Sequence, residues 1–253
     1  MQDGKGDSLT KVVALSDSDL SLPKGTSFFD AYLSYYVAEM LQIGGESVVS
    51  LGSSGKQTGL FIYDPLERNG SVFTREREVF DFFFGYRSHL TLFSEIKTDH
   101  RSEPYIIYSL DMRSYLPKHG FSHEIKIIEE EDLGRVERYM VENDPRMNRR
   151  WVRVAFANGD KCFVVDIDNS VAGLGWLSFV RGIGRIHSLY VTPRFRKMGI
   201  GRDLLTARLM WLRAKGATIA FSEISKYNVP STSIAVGEGM EPAGVIYQYF
   251  KKE

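Results

Sequence analysis

The chain has 253 residues, 43% of them hydrophobic and 25% charged, with 32 basic and 32 acidic side chains. That is enough apolar residue for the core of one large domain or two small ones. A net charge of +0 excludes a broad nucleic-acid footprint, and no apolar run is long enough to cross a bilayer. The polar start, Met1 to Asp7, is unlike a signal peptide. A single cysteine, Cys162, cannot form an internal disulfide, and beside Phe163, Val164 and Val165 it reads as a buried, inert thiol. These features fit a cytoplasmic protein with no membrane or nucleic-acid partner.

In the first half, Lys11 to Leu15 reads as a strand and Phe28 to Leu41 as a helix. Glu46 to Leu51 and Thr58 to Tyr63 form a hairpin. Gly52 to Gln57 between them imitates a nucleotide-binding loop but has Ser50 and Gln57 where Gly and Ser or Thr are needed, so it reads as a hairpin tip. Thr74 to Tyr86 is a helix, and His89 to Ile96 and Pro104 to Leu110 are strands. The aromatic run from Phe80 to Tyr86 lacks the basic neighbours of a base-stacking surface and reads as core. His119 and His123 have no ligand partners at metal spacing, so no metal is expected. The loop Pro117 to Ser122 suggests a boundary near Gly120.

In the second half, Glu124 to Ile128 is a short strand and Glu129 to Glu142 an amphipathic helix with an acidic, solvated start. Asp144-Pro145 breaks it, and Asn148 to Phe156 forms another helix. Cys162 to Ile167, Val171 to Val180 and Arg185 to Val191 are meandering strands joined at Asp168-Asn169 and Arg181 to Gly184. Arg202 to Ala214 is a helix closed by Gly216, with Leu205, Leu209 and Leu212 on one face. Thr218 to Ile224 is a strand, Pro230 to Val236 a short helix and Gly244 to Phe250 the last strand. The order implies an α/β (α+β) fold: a mixed, mostly antiparallel sheet flanked by helices. Phe93-Ser94-Glu95-Ile96 recurs as Phe221-Ser222-Glu223-Ile224, each at a strand end after a helix, which suggests a related first half.

The segment 189–201 is the most specific. An apolar strand, Leu189-Tyr190-Val191, runs into a basic loop with glycines and then into a helix N-terminus. Glycines let backbone amides approach an anion that the helix dipole already favours, and Arg194, Arg196, Lys197 and Arg202 add positive charge. The guest expected there is a small phosphorylated cofactor. Around the Arg-x-x-Gly-x-Gly pattern, Arg196 to Gly201, stand Val-x-Pro before it, a leucine-rich helix after it, then Asn228-x-x-Ser231 and Gly239-Met240.

With those residues, positions 122–253 resemble the GNAT superfamily of acyl-CoA N-acyltransferases. The resemblance implies that Arg196, Lys197, Met198, Gly199, Ile200 and Gly201 cradle the CoA pyrophosphate, and the neighbouring Arg202 is expected beside them from its charge. It implies that Leu189, Tyr190 and Val191 hold pantetheine and the thioester on a strand that splays from its neighbour. Asn228 and Ser231 match family positions that face the CoA arm; a turn or helix cap is the alternative for Asn228. The family's Tyr, acid for the leaving thiolate, is replaced by Ala235, and Tyr227 is a nearby substitute. The reaction implied is direct attack of an amine on acetyl-CoA. Keeping such an amine neutral at pH 7 costs roughly 4–5 kcal/mol, so a base matters. His187, two residues before Leu189 and expected on its face of the strand, is the first candidate, and Glu223 the second.

The expectation is an acetyl-CoA-dependent N-acetyltransferase domain over 121–253, without metal. Residues 1–120 are expected as a degenerate GNAT-like or accessory α/β domain that lacks the loop. A CoA-binding regulatory module without chemistry is the alternative, and a scaffold with a vestigial site is a further one. The acceptor amine is not readable, and a homodimer is compatible with the chain.

Overall fold

The computed structural model describes residues 11–14, 35, 36, 39, 46–51, 57–64, 69–77, 80, 81, 84, 90–143 and 149–249. The expected hairpin tip at 52–56, most of the helix expected at Phe28 to Leu41, the break at 144–148 and Phe250 lie outside them. The chain divides into two compact units, Met1–Pro104 with Val245–Glu253, and Tyr105–Gly244.

In the first unit, β1 (Lys11–Ala14), β2 (Glu46–Leu51), β3 (Gln57–Asp64) and β4 (Asn69–Thr74) pair antiparallel in sequence order. Helical residues at 77, 80, 81 and 84 lead to β5 (Leu90–Ser94), which pairs parallel with β4 over five residues, Gly70↔Leu90 to Thr74↔Ser94. The sequence reading missed β4, because its Asn69-Gly70 start carries turn chemistry. Phe73 and Phe93 stack across the parallel pair at 5.0 Å. Val72, Phe80, Leu92 and Tyr249 form the core beneath it, as expected for Phe80.

The second unit takes most of β6 (Ser102–Asp111), then β7 (Lys126–Ile127), β8 (Lys161–Ile167), β9 (Ser170–Val180), β10 (Ile183–Val191) and β11 (Ile219–Ser225). Their order across the sheet is β6-β11-β10-β9-β8-β7. Only the β10–β11 pair is parallel among these ladders, so the sheet is mixed and mostly antiparallel. The boundary suggested near Gly120 falls inside this unit, because Tyr105 to Asp111 of β6 pair residue by residue with β11. β12 (Glu241–Tyr249) ends in the first unit, where Tyr247 to Tyr249 pair with β5.

Helices cover both faces of the second sheet. A 3-10 turn, Glu130–Asp132, precedes α1 (Leu133–Asn143), and α2 (Arg149–Ala157) follows. Val136, Met140 and Val152 from these helices pack on Cys162, Val164, Leu174 and Trp176. The other face carries α3 (Ile200–Ala214) and α4 (Val229–Gly237), whose Leu204, Leu205, Leu209, Leu212 and Ala235 pack on Phe163, Val165 and Ile186. Alternation along β8 thus sends Cys162 and Val164 to one core and Phe163 and Val165 to the other. Each fully buried leucine of α3 contributes about 2–3 kcal/mol. The helix sits close because glycines lie beneath it: a Cβ on Gly184 would meet Leu212 at 2.3 Å, and one on Gly175 would meet the Arg208 guanidinium at 2.7 Å. Cys162 is wholly buried, and desolvation raises its thiol pKa well above the usual value, as the inert reading expects.

Candidate functional site

β10 and β11 run parallel, but their ladder spans Ile183↔Ile219 to Arg185↔Phe221 and goes no further among the described residues. β11 continues beside β6 as far as Ser225, while β10 continues beside β9 as far as Val191. The two strands therefore part at their C-terminal ends, and from Ile186 onward the β10 edge that faced β11 has no ladder partner among the described residues. Both helices that follow these strands, α3 and α4, begin at this opening, and a Cβ on Gly201 would meet Ile234 of α4 at 2.9 Å.

Beyond the splay, β10 carries a bulge. Pairing with β9 steps from His187↔Trp176 to Tyr190↔Leu174, so Ser188 and Leu189 stand opposite the single residue Gly175. Ser188 takes a left-handed conformation, φ 50°, uncommon for a serine and costly enough to need support. The extra residue changes which side chains share a face. Leu189 packs with the α3–α4 core, whereas His187 and Tyr190 face the α1–α2 side, where Tyr190 packs near Tyr139 and His187 near Trp151. The expectation that His187 shares a face with Leu189 is corrected by this bulge.

The loop after β10 begins with a 3-10 turn, Pro193–Phe195. Lys197 and Gly199 take left-handed backbone, φ 65° and 89°, and Gly199 is the N-cap of α3 with no side-chain cap. The first-turn amides of α3 therefore have no side-chain cap, and the positive end of the helix dipole lies at this loop. Arg196 is exposed and anchored through its Nε, which donates to the Val191 carbonyl at 3.1 Å. Lys197 and Met198 are exposed, and Ile200 is buried under Gly173. Arg202 is engaged by its own domain, donating to Asp203 Oδ1 at 3.1 Å and Ser122 Oγ at 3.3 Å. Asp203 is buried; burial alone would raise its pKa, but hydrogen bonds from His123, the Ser122 amide and Arg202 hold it below the usual carboxylate value. His123, dismissed as a metal ligand, is thus a clamp that ties the start of the domain to α3 through a 2.8 Å bond.

His187 has a 10% exposed side chain with both ring nitrogens engaged. Its Nε2 lies 2.9 Å from Ser178 Oγ and 3.5 Å from Asp160 Oδ2, and its Nδ1 lies 3.2 Å from Ser188 Oγ. Burial lowers its pKa; the hydrogen bond it donates to Asp160 opposes that, and the Arg185 charge adds to it. An ionised Asp160 accepts only, which favours a proton on Nε2 and leaves Nδ1 to accept from the Ser188 hydroxyl. Glu223 is ion-paired with Arg185 at 3.3 Å. Tyr227 is 74% exposed. Asn228 caps α4, its side chain accepting from the Ser231 amide at 3.3 Å, so the cap reading of Asn228 describes its present role. Ser231 is half-buried at the first turn of α4, and Ala235 is 1% exposed in the core.

The sequence reading missed Ser188, Asp160 and Arg208. Bulge position and the sign of φ leave no mark at Ser188, and Asp160 looks like an ordinary turn residue after Gly159. Arg208 did carry a signal: it stands at four-residue spacing between Leu204 and Leu212, on the apolar stripe of α3. Its guanidinium is wholly buried, and burial lowers its pKa to about 9, still protonated at neutral pH.

The family model of the acetyltransferase (GNAT) family matches residues 123–235. No curated protein matches the chain in sequence. Among solved structures, a Drosophila protein superposes with a TM-score of 0.69 at 12% identity, covering 96% of this chain and 100% of that one. A GCN5-related N-acetyltransferase from Sphaerobacter thermophilus gives 0.59 at 12% identity, covering 82% and 81%. A tandem GNAT protein from the clavulanic acid biosynthesis pathway gives 0.53 at 13% identity, covering 97% and 99%. At these identities the structures speak for the fold. Together with the family match, the splayed strands and the glycine loop at the head of α3, they identify residues 123–235 as a domain of the acetyltransferase (GNAT) family.

Proposed function

We propose that the protein is an acyl-CoA-dependent N-acetyltransferase that moves an acetyl group from acetyl-CoA to an amine. The observation that carries this reading is the β10–β11 ladder that stops at Arg185, directly before the bulge and the uncapped N-terminus of α3. Polar backbone at an open strand edge suits an extended amide chain such as pantetheine, and the α3 amides with Arg196 and Lys197 suit a pyrophosphate. Leu189, Tyr190 and Val191 would line the arm, with Gly199 and Gly201 leaving room for backbone approach and Ser231 at the head of α4 nearby. Bound there, acetyl-CoA supplies an activated acyl thioester.

The chain's own task is then the proton. The Ser188 hydroxyl accepts a proton from the amine while passing its own to His187 Nδ1, and Asp160 stabilises the imidazolium through Nε2–H. Glu223, held by Arg185, tunes the charge beside this chain rather than meeting the amine. The leaving thiolate, with a thiol pKa of about 8.5, departs near neutrality without a protein acid, which fits Ala235 and the exposed Tyr227. The test is acetyl transfer measured against a broad panel of amines, beside acetyl-CoA binding by calorimetry. Binding with turnover supports the reading; absence of both contradicts it.

A CoA-binding regulatory module is the second reading, favoured by the apolar, buried Ala235 where the family resemblance implies a tyrosine. Tight acetyl-CoA binding with no turnover across the amine panel would select it. A soluble reducing compartment, cytoplasmic in our reading, suits the single buried thiol. We further propose that the first unit is a relative of the second that has lost the CoA loop, and that any homodimer leaves the donor site within one chain.

A further inference from the structure

Arg208 is the most anomalous side chain in the second unit. It sits in the middle of α3, wholly buried between helix and sheet, and no carboxylate pairs with it among the described residues. A buried guanidinium is tolerated only where its donors are satisfied. Here its Nε donates to the Leu204 carbonyl of its own helix at 2.9 Å. Its Nη1 donates to two carbonyls of the sheet, Trp176 at 3.0 Å and His187 at 3.2 Å. Trp176 and His187 are the last regular pair before the β10 bulge. Gly175, the one residue opposite the bulge, is also the one that makes room for the guanidinium. Nη2 has no hydrogen-bond partner among the described residues.

The two bonds from Nη1 therefore tie α3 to the strand pair at the point where the register slips, while the Nε bond fixes the side chain to its own helix. Arg208 lies two helical turns below the N-terminus of α3, about 12 Å along its axis. A methionine or leucine there would fill the space but could not reach two carbonyls on neighbouring strands. We propose that Arg208 is a positioning residue that fixes the β10 bulge to helix α3, so that the pyrophosphate loop and the strand beside the thioester hold one relative setting. This rests on the acyl-CoA reading above for its consequence in catalysis, though the brace itself concerns the ligand-free protein. His187 gains from it directly, since its carbonyl is one of the two held and Ser188 follows at once.

Two variants test it. Arg208→Met removes the donors and a buried charge while keeping volume, a change that cores often accept without loss of stability. Gly175→Ala keeps the arginine but displaces it with a Cβ. Amide exchange in the ligand-free proteins is the first readout. Exchange at Ser188 and Leu189 should rise at least tenfold in both variants while β8 amides, Phe163 to Val165, keep their wild-type rates. Unchanged exchange at the bulge, or an equal rise over the whole sheet, overturns the brace. The second readout separates binding from chemistry. Affinity for 3′-phospho-ADP, the nucleotide fragment without pantetheine, should stay within twofold of wild type, while kcat with acetyl-CoA falls at least tenfold. Proportional losses in both, or wild-type turnover, overturn the link to catalysis. If wild type binds neither acetyl-CoA nor the fragment, the acyl-CoA reading fails and the link with it, while the exchange result still decides the brace.

Discussion

In the first unit, β4 and β5 pair in parallel from Gly70↔Leu90 through Thr74↔Ser94, and Ser94 Oγ donates to the Thr74 carbonyl at 2.8 Å where the pair ends. In the second, β10 and β11 also pair in parallel across a helical crossover, but only through Arg185↔Phe221. If the Phe-Ser-Glu-Ile echo is aligned, Phe93 and Phe221 correspond, and Arg75 of the first unit stands where His187 stands in the second. Arg75 meets Glu95 at 3.1 Å, closing the end of its pair. His187 turns from Glu223 toward Asp160, and the backbone bulges at the next residue. On that alignment the ladder runs one pair further in the first unit, to Thr74↔Ser94, with an ion pair joining the strands just beyond it, whereas in the second the strands part after Arg185↔Phe221. An open parallel pair exposes costly unpaired backbone, which is sensible only where something else supplies the hydrogen bonds.

The comparison can be broken most sharply at His187. His187→Ala should lower kcat/KM about a hundredfold, a typical effect for a general base, with acetyl-CoA affinity within twofold of wild type. Turnover that is unchanged across pH would remove His187 from the proton path. Next in size is the loop: Gly199→Val places a β-branched residue at φ 89° and crowds the α3 amides. Acetyl-CoA affinity measured by calorimetry should drop at least tenfold, and an unchanged value would mean the anion lies elsewhere. In the first unit, Ser94→Ala removes a buried hydrogen bond and should cost about 1 kcal/mol in denaturant unfolding without touching acetyl-CoA affinity. A gain of CoA binding there would show that this side-chain bond, and not the absence of the glycine loop, keeps the first unit from binding CoA.

Two smaller effects sharpen the second unit. Asn228→Ala should cost about 1 kcal/mol through loss of the α4 cap, with little change in acetyl-CoA affinity. A large affinity loss instead would make Asn228 a ligand contact. The last effect is pH dependence. His187 has a folded pKa below 6.5, so the unfolded chain binds its proton more readily. Its contribution to stability is therefore complete above pH 6.5 and is lost as pH falls from there toward the folded value. The fall in melting temperature between pH 7 and pH 5 should be smaller in His187→Gln than in wild type.

Much of the second unit was legible because its patterns are local. The apolar stripe of α3, the Asp168-Asn169 turn and the alternation of β8 set their elements to within about two residues of the sequence reading. The Arg-x-x-Gly-x-Gly loop could be read because glycine is required where φ is 89°, a constraint that shows in residue type. The splay was expected only through the family resemblance, and the bulge at Ser188 not at all, since both follow from how three strands compete for partners. That competition moved His187 off the face of Leu189, and it turned Arg208, a charge on an apolar stripe, from an apparent misfit into a link between helix and strand. In the first unit, β4 escaped because its parallel partner supplies what its Asn69-Gly70 start lacks.

The most direct test of an open second unit and a closed first one is amide exchange with and without CoA. Added CoA should protect the amides of Leu189 to Val191 and of Met198 to Arg202, and leave Gly70 to Thr74 and Leu90 to Ser94 unchanged. Absence of protection at the first set, or equal protection in both units, would contradict the account.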